Sequence, residues 1–162
     1  MPSYIFQPKD AILPTTNPAA YSDPDGTNFS YGQLAFDATT QEQVFFIAPM
    51  DSFYNSATLY FDIWWKAAAT SGDVVWQINL LGRVDGEVWD AAMGTDEYVV
   101  DTAKGTTEYL AKATVEVSTT GLVPSDLIVI KLSRDADSTN DTDDMAGDAK
   151  FLSMRMRFNV AG

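Results

Sequence analysis

The 162-residue chain contains no cysteine and no histidine. The first absence excludes disulfides and thiolate metal sites; the second removes the usual neutral-pH acid or base and the commonest zinc or copper ligand. The many serines and threonines have no imidazole to take their proton, so most constellations built on an activated nucleophile are excluded as well. Positive charge is scarce: ten Lys and Arg stand against 23 Asp and Glu, for a formal net charge of -13. Such a balance repels phosphate backbones and anionic lipid surfaces, which argues against nucleic acid and membrane as partners. No apolar run approaches the length that crosses a bilayer, and the opening residues MPSYIFQPKD lack the basic-then-apolar pattern of a secretory leader, so none is expected.

What is present is a rich apolar complement, 46% of residues, with four Trp, seven Tyr and nine Phe. That is enough to bury a core, and the length suits one domain. Five of the seven prolines (Pro2, Pro8, Pro14, Pro18, Pro24) fall in the first 28 residues. They deny ladder donors and favour extended backbone, so residues 1–28 are expected to form an extended arm packed on something, with Asp23-Pro24-Asp25-Gly26 as a tight turn at its end. Residues 29–162 are the expected domain body.

In that body, period-two patterns recur between Gly, Asn, Asp and Ser clusters, and no long window keeps a 3.6-residue apolar stripe. Eight strands are predicted: Ser30 to Phe36, Gln43 to Ala48, Ser56 to Lys66, Asp73 to Leu81, Glu97 to Asp101, Lys112 to Ser118, Asp126 to Arg134 and Ala149 to Val160. In the third, Leu59, Phe61, Ile63 and Trp65 alternate with Tyr60, Asp62 and Trp64, and in the last Leu152, Met154, Met156 and Phe158 alternate with Ser153, Arg155 and Arg157. Each has one apolar and one wetter face. The fourth, with Val75, Gln77, Asn79 and Leu81 opposite Val74, Trp76, Ile78 and Leu80, and the seventh look buried on both sides and read as central or covered. Eight antiparallel strands of this kind predict an all-β antiparallel sandwich, an eight-stranded jelly roll.

Candidate chemistry is thin. Arg134 to Asp148 offers oxygen ligands at alternate positions, as calcium would accept, but lacks the sixth-position glycine and closing glutamate of an EF-hand loop; a solvated loop is the simpler reading, and no cofactor or metal is assigned. Trp64 or Trp89 could form a sugar-stacking platform, although exposed aromatics mark interfaces at least as often. Paired carboxylates for glycoside hydrolysis could be drawn from Asp62, Asp85, Glu87, Asp90 and Glu97, but with 23 acids such pairs arise by chance. Arg155 and Arg157, on the wetter face of the last strand, are expected to pair with acids of a neighbouring strand or subunit.

Three stretches resemble a known group: Ile12-Leu13-Pro14-Thr15-Thr16-Asn17-Pro18-Ala19, Ala69 to Trp76, and Arg134-Asp135-Ala136-Asp137 with Asp141-Thr142 and Ala146-Gly147-Asp148-Ala149. Together they are similar to small jelly-roll virion structural proteins of tailed phages. The resemblance implies a non-enzymatic capsid decoration or cement subunit on the virion surface, a homotrimer bound to the major capsid protein, made in the host cytoplasm. On that reading Ile5, Phe6, Ile12, Leu13 and Trp64 are the expected interface residues, and residues 1–20 could be removed without unfolding the sandwich. The alternative is a carbohydrate-binding, host-adhesion sandwich module of a tail or spike.

Overall fold

A computed structural model describes residues 1–118 and 120–162. Ten strands are described: β1 (Ser3–Phe6), β2 (Ala20–Ser22), β3 (Gln33–Phe36), β4 (Gln43–Pro49), β5 (Leu59–Lys66), β6 (Asp73–Arg83), β7 (Glu97–Thr102), β8 (Ala111–Val117), β9 (Leu127–Arg134) and β10 (Ala149–Arg157). The last eight are the predicted ones. One sheet runs β2-β3-β10-β5-β8, with β1 also paired to β10, and the other runs β4-β9-β6-β7. Every ladder between named strands is antiparallel. Among the eight body strands, neighbours come from opposite ends of the chain, β3 beside β10 and β4 beside β9, which is the wrapped order of a jelly roll.

The period-two pattern places the core as predicted in β5, where Leu59, Phe61, Ile63 and Trp65 are all buried. Across from them stand Val44 and Phe46 of β4, Trp76 and Ile78 of β6, and Ile128, Ile130 and Leu132 of β9. Trp76 meets Trp65 at 6.0 Å and Phe36 at 5.2 Å between ring centroids, both edge-on, the geometry aromatic quadrupoles favour. Strands β6 and β9 are the inner pair of their sheet, as expected of strands read as buried on both sides. The outer side of β6 is covered by the chain that follows β9, where the Asn140 side chain donates to the outward Gln77 at 2.8 Å, and the same chain satisfies the Val75 main chain through Asp135 N–H and the Asp143 carboxylate.

Two expectations need correction. The last strand does not hold one alternation from end to end. The ladder to β5 pairs Phe151 with Trp65 and then Ser153 with Trp64, so Leu152 is an extra residue in a β-bulge. The inward set is therefore Phe151, Met154, Met156 and Phe158, and Leu152 is turned to the outer face.

The second concerns residues 1–28, which lie on the sandwich as part of it. Ser3 to Phe6 pair with Arg157 to Met154, Ala20 to Ser22 pair with Ala35 to Gln33, and Ile12 bridges Phe45. Phe6 is buried in the chain's own core, 5.3 Å from the ring of Phe46, and so offers no side chain to another subunit. Ala19 is buried too, so removing residues 1–20 would open this core. Ile5, Ile12 and Leu13 are exposed. Because β1 is antiparallel to β10, the first and last strands run side by side, and the Phe158 N–H donates to the Pro2 carbonyl at 3.2 Å.

Candidate functional site

The outer face of the six-stranded sheet carries five of the seven ion pairs found among the described residues. Its outward row on β5 is Tyr60, Asp62, Trp64 and Lys66, the residues that alternate with the core set. Next to it, β10 presents Lys150, Arg155 and Arg157, and β8 presents Lys112, Thr114 and Glu116.

Asp62 stands in the middle with 0% exposure although it points away from the core. It is covered by its neighbours. Arg157 donates through Nε to Oδ2 at 2.7 Å and through Nη2 to Oδ1 at 3.1 Å, a bidentate fork. Arg155 donates through Nε to Oδ2 at 3.0 Å, the Thr114 hydroxyl donates to Oδ1 at 2.8 Å, and Lys112 Nζ lies 3.8 Å from Oδ1. Burial pushes the Asp62 carboxyl up, but the bonds from Arg157, Thr114 and Arg155 outweigh it and hold the group at about 2. The expectation that Arg155 and Arg157 pair with an acid of a neighbouring strand is met by this one residue.

Trp64 is the outward member of the Trp64-Trp65 pair, as alternation requires. Its ring is attended from both neighbouring strands, by Lys112 Nζ at 5.6 Å and the Arg155 guanidinium at 5.3 Å from the centroid. The Arg157 guanidinium sits likewise 4.9 Å from the Tyr60 ring centre. The Trp64 ring face therefore holds cations rather than lying bare as a stacking platform.

Beyond Lys66 the same face deepens into a groove of about 750 Å³, walled by Gln7, Pro8 and Lys9 of the short 3-10 turn after β1, by Tyr21, Asp23, Phe29 and Tyr31, and by Glu108, Leu110 and Leu152. The bulge in β10 is what puts Leu152 there. Phe29 is 71% exposed and leans on Tyr31, with 5.8 Å between ring centroids. The loop that carries them is pinned by the Gly26 N–H donating to the Phe29 carbonyl; a Cβ on Gly26 would lie 2.7 Å from that oxygen, so the tight turn foreseen at Asp23 to Gly26 requires glycine there.

The polar groups of the groove are fixed. Lys66 Nζ contacts the Tyr31 hydroxyl at 2.5 Å and Glu108 Oε2 at 2.6 Å; Lys150 Nζ reaches Glu108 Oε1 at 2.8 Å; the Tyr21 hydroxyl donates to Asp23 at 2.7 Å. For Glu108, burial raises the carboxyl pKa and the bonds from Lys150 and Lys66 bring it below its usual range. An anionic, doubly paired carboxylate is a poor general acid, the part glycoside hydrolysis would require of one of two facing acids. Of the five acids considered for that chemistry, Asp62 is locked among cations, Asp85, Glu87 and Asp90 lie on the exposed loop after β6, and Glu97 opens β7 in the other sheet, the last four all apart from the groove.

Trp89 is 46% exposed and lines a separate, shallower hollow of about 430 Å³ with Arg83, Glu87 and Leu127 at the end of the other sheet. The acidic stretch after β9 is closed by its own arginine. Arg134 is fully buried; Nη2 donates to Asp143 at 2.8 Å and to the Met145 carbonyl at 2.7 Å, and Nη1 to the carbonyls of Gly147 at 2.7 Å and Phe36 at 3.2 Å. Asp135 accepts from the N–H groups of Thr139 and Asn140. Among the described residues no group of three or more acids converges as a metal site would require.

The expected interface residues do not gather in one place. Phe6 is internal, Trp64 belongs to the cation-bearing face, Ile5 stands beside Arg155 on the outer side of β1, and Ile12 and Leu13 follow the 3-10 turn. Sequence reasoning did not assemble the groove. Its walls come from six separate segments, and the available signal was the aromatic spacing Tyr21, Phe29, Tyr31 around the Asp23 to Gly26 turn.

No family model matches the chain, and no curated protein matches it. Solved structures do. A family 35 carbohydrate binding module from an environmental isolate superposes with a TM-score of 0.56 at 10% identity, over 98% of this chain and 99% of that one. A family 35 module from Clostridium thermocellum gives 0.55 at 12% identity, over 98% and 100%. The CBM36-1 domain of a multidomain xylanase from the hindgut metagenome of Trinervitermes trinervoides gives 0.51 at 13% identity, over 99% of both chains. At such identities the likeness establishes the fold, an all-β jelly-roll sandwich matched from end to end.

Proposed function

We propose that this chain is a non-catalytic carbohydrate-binding module and that the groove on the outer face of the six-stranded sheet is its binding site. The observation that carries the reading is the composition of that groove: exposed aromatic rings at Tyr21 and Phe29 beside rigidly paired Lys66, Glu108 and Asp23. A sugar ring has apolar C–H faces and a rim of hydroxyls. Planar aromatic surface suits the first, and fixed charged donors and acceptors suit the second. The whole-chain likeness to carbohydrate binding modules supports this choice over a cement role. Location on a virion is compatible with it, since a module that grips glycans serves adhesion.

Phe29→Ala tests the site. The side chain is mostly solvent-exposed, so its loss leaves the fold intact. It should weaken glycan binding about tenfold, the ~1.4 kcal/mol of one well-placed contact, with an unchanged melting temperature. Screening the purified protein on a glycan array, then measuring the variant on any hit by calorimetry, gives the answer. No binding to any glycan, or full affinity in the variant, would overturn the assignment.

A further inference from the structure

Charge is unevenly spread over this molecule. Lys66, Lys112, Lys150, Arg155 and Arg157, half of its ten Lys and Arg, stand on one sheet face. The acids among them are Asp62, Glu108 and Glu116, which leaves that face two positive charges in surplus on a chain whose total is -13. The segments that wall the groove carry Lys9 against Asp10, Asp23 and Asp25, so the surplus belongs to the row on β5, β8 and β10 and not to the groove itself. The acidic loop lies elsewhere: Asn140 bonds Gln77 and Asp96 on the outward side of β6, across a core about 10 Å thick. At physiological ionic strength the Debye length is about 8 Å, so a ligand lying on the six-stranded sheet responds to the local surplus more than to the distant acids.

The cations are held in place and still available. Asp62 anchors Arg155 and Arg157, and Trp64 carries Lys112 and Arg155 against its ring. Yet the side chains of Lys112, Arg155 and Arg157 remain 47%, 35% and 27% exposed, so part of each charged head faces solvent. The row Lys66, Trp64, Asp62, Tyr60 runs outward from the groove along β5, and three two-residue steps span about 20 Å. A polymer seated in the groove would pass directly over the fixed cations.

Resting on the carbohydrate reading above, we infer that the preferred ligand is an acidic glycan, a chain bearing carboxylate or sulfate groups, with the groove holding a sugar ring and Lys112, Arg155 and Arg157 receiving the anionic groups of the units that follow. Guanidinium and ammonium groups match carboxylate and sulfate oxygens, and the exposed part of each head, beyond what it gives to Asp62, is free to receive them.

The test uses polymers that differ only in charge. Polygalacturonate is compared with its methyl ester, and dextran sulfate with dextran, by affinity electrophoresis and calorimetry at 50 and 300 mM NaCl. At least one charged polymer should bind tenfold or more tightly than its neutral counterpart, and the gap should shrink at the higher salt. Lys112→Gln, which removes the most exposed of the three cations and the most distant from Asp62, should reduce that gap severalfold while Phe29→Ala weakens binding to both partners of the pair. Equal binding of charged and neutral polymers, both sensitive to Phe29→Ala, would overturn the charge selection and leave the carbohydrate reading standing. No binding to any of the four polymers would overturn it too, and a glycan array then decides the broader reading. Single-stranded DNA bound as tightly as the charged glycans would overturn it in favour of an unselective polyanion surface.

Discussion

Asp62 shows how one residue can be read correctly by pattern and still be missed in role. Alternation put it on the wetter face of β5, yet it is the most enclosed group there, because two arginines, a threonine and a lysine reach it from both adjacent strands. Its carboxyl is held at about 2 in the folded chain, below the 3.8 of a free aspartate. A depressed carboxyl contributes stability that is complete above its unfolded pKa and is lost as pH falls through the folded one. The contribution is about 2 kcal/mol, present at neutral pH and disappearing between roughly pH 4 and pH 2. Asp62→Asn should therefore be less stable than the parent by that order at pH 7, and urea unfolding at stepped pH should show the difference narrowing across this window. A constant difference from pH 7 to pH 2 would disprove the account.

Elements were legible where one rule governed them. The apolar rows of β5, β6 and β9 are strict enough that face and centrality follow from spacing alone. Strand β10 defeated that rule because its bulge changes the period within the strand, and nothing in Phe151-Leu152-Ser153 distinguishes an inserted residue from a regular one. Strands β1 and β2 were hidden by the prolines around them: four and three residues are too few for a pattern, and β1 pairs with the opposite end of the chain. The loop after β9 was recognised as a loop, but its organising residue was not. Arg134 sits at the end of an apolar strand and turns inward, where its guanidinium occupies the three carbonyls and the carboxylate that a hard cation would otherwise attract. Arg134→Met should cost about 3–5 kcal/mol, since it leaves Asp143 buried without a partner, whereas EDTA should leave amide exchange in residues 135–148 unchanged. Chelator-induced loss of protection there would show that a metal, not the arginine, holds the loop.

At the scale of the whole molecule, the two sheets divide the work. The loop after β9 covers the outward side of the four-stranded sheet at Val75 and Gln77 of β6, and the six-stranded sheet carries the groove at one end of its outward side and the cation row leading from it. The groove escaped sequence reasoning for the same reason that strand order did: Gln7, Tyr31, Lys66, Glu108 and Leu152 meet only because the jelly roll wraps opposite ends of the chain into neighbouring strands.

That wrapping also brings β1 alongside β10, with Pro2 hydrogen-bonded to Phe158. Residues 2 and 158 thus lie side by side in space although 156 positions apart in the sequence. Joining the two ends through a linker of a few residues and reopening the chain at the exposed Asp85-Gly86 turn should give a circular permutant with the same circular dichroism spectrum and a cooperative melt. A permutant that fails to fold would mean that the order of synthesis matters. The same geometry makes the module easy to set within a surface loop of another protein, since its entry and exit lie side by side and would barely separate the residues they interrupt.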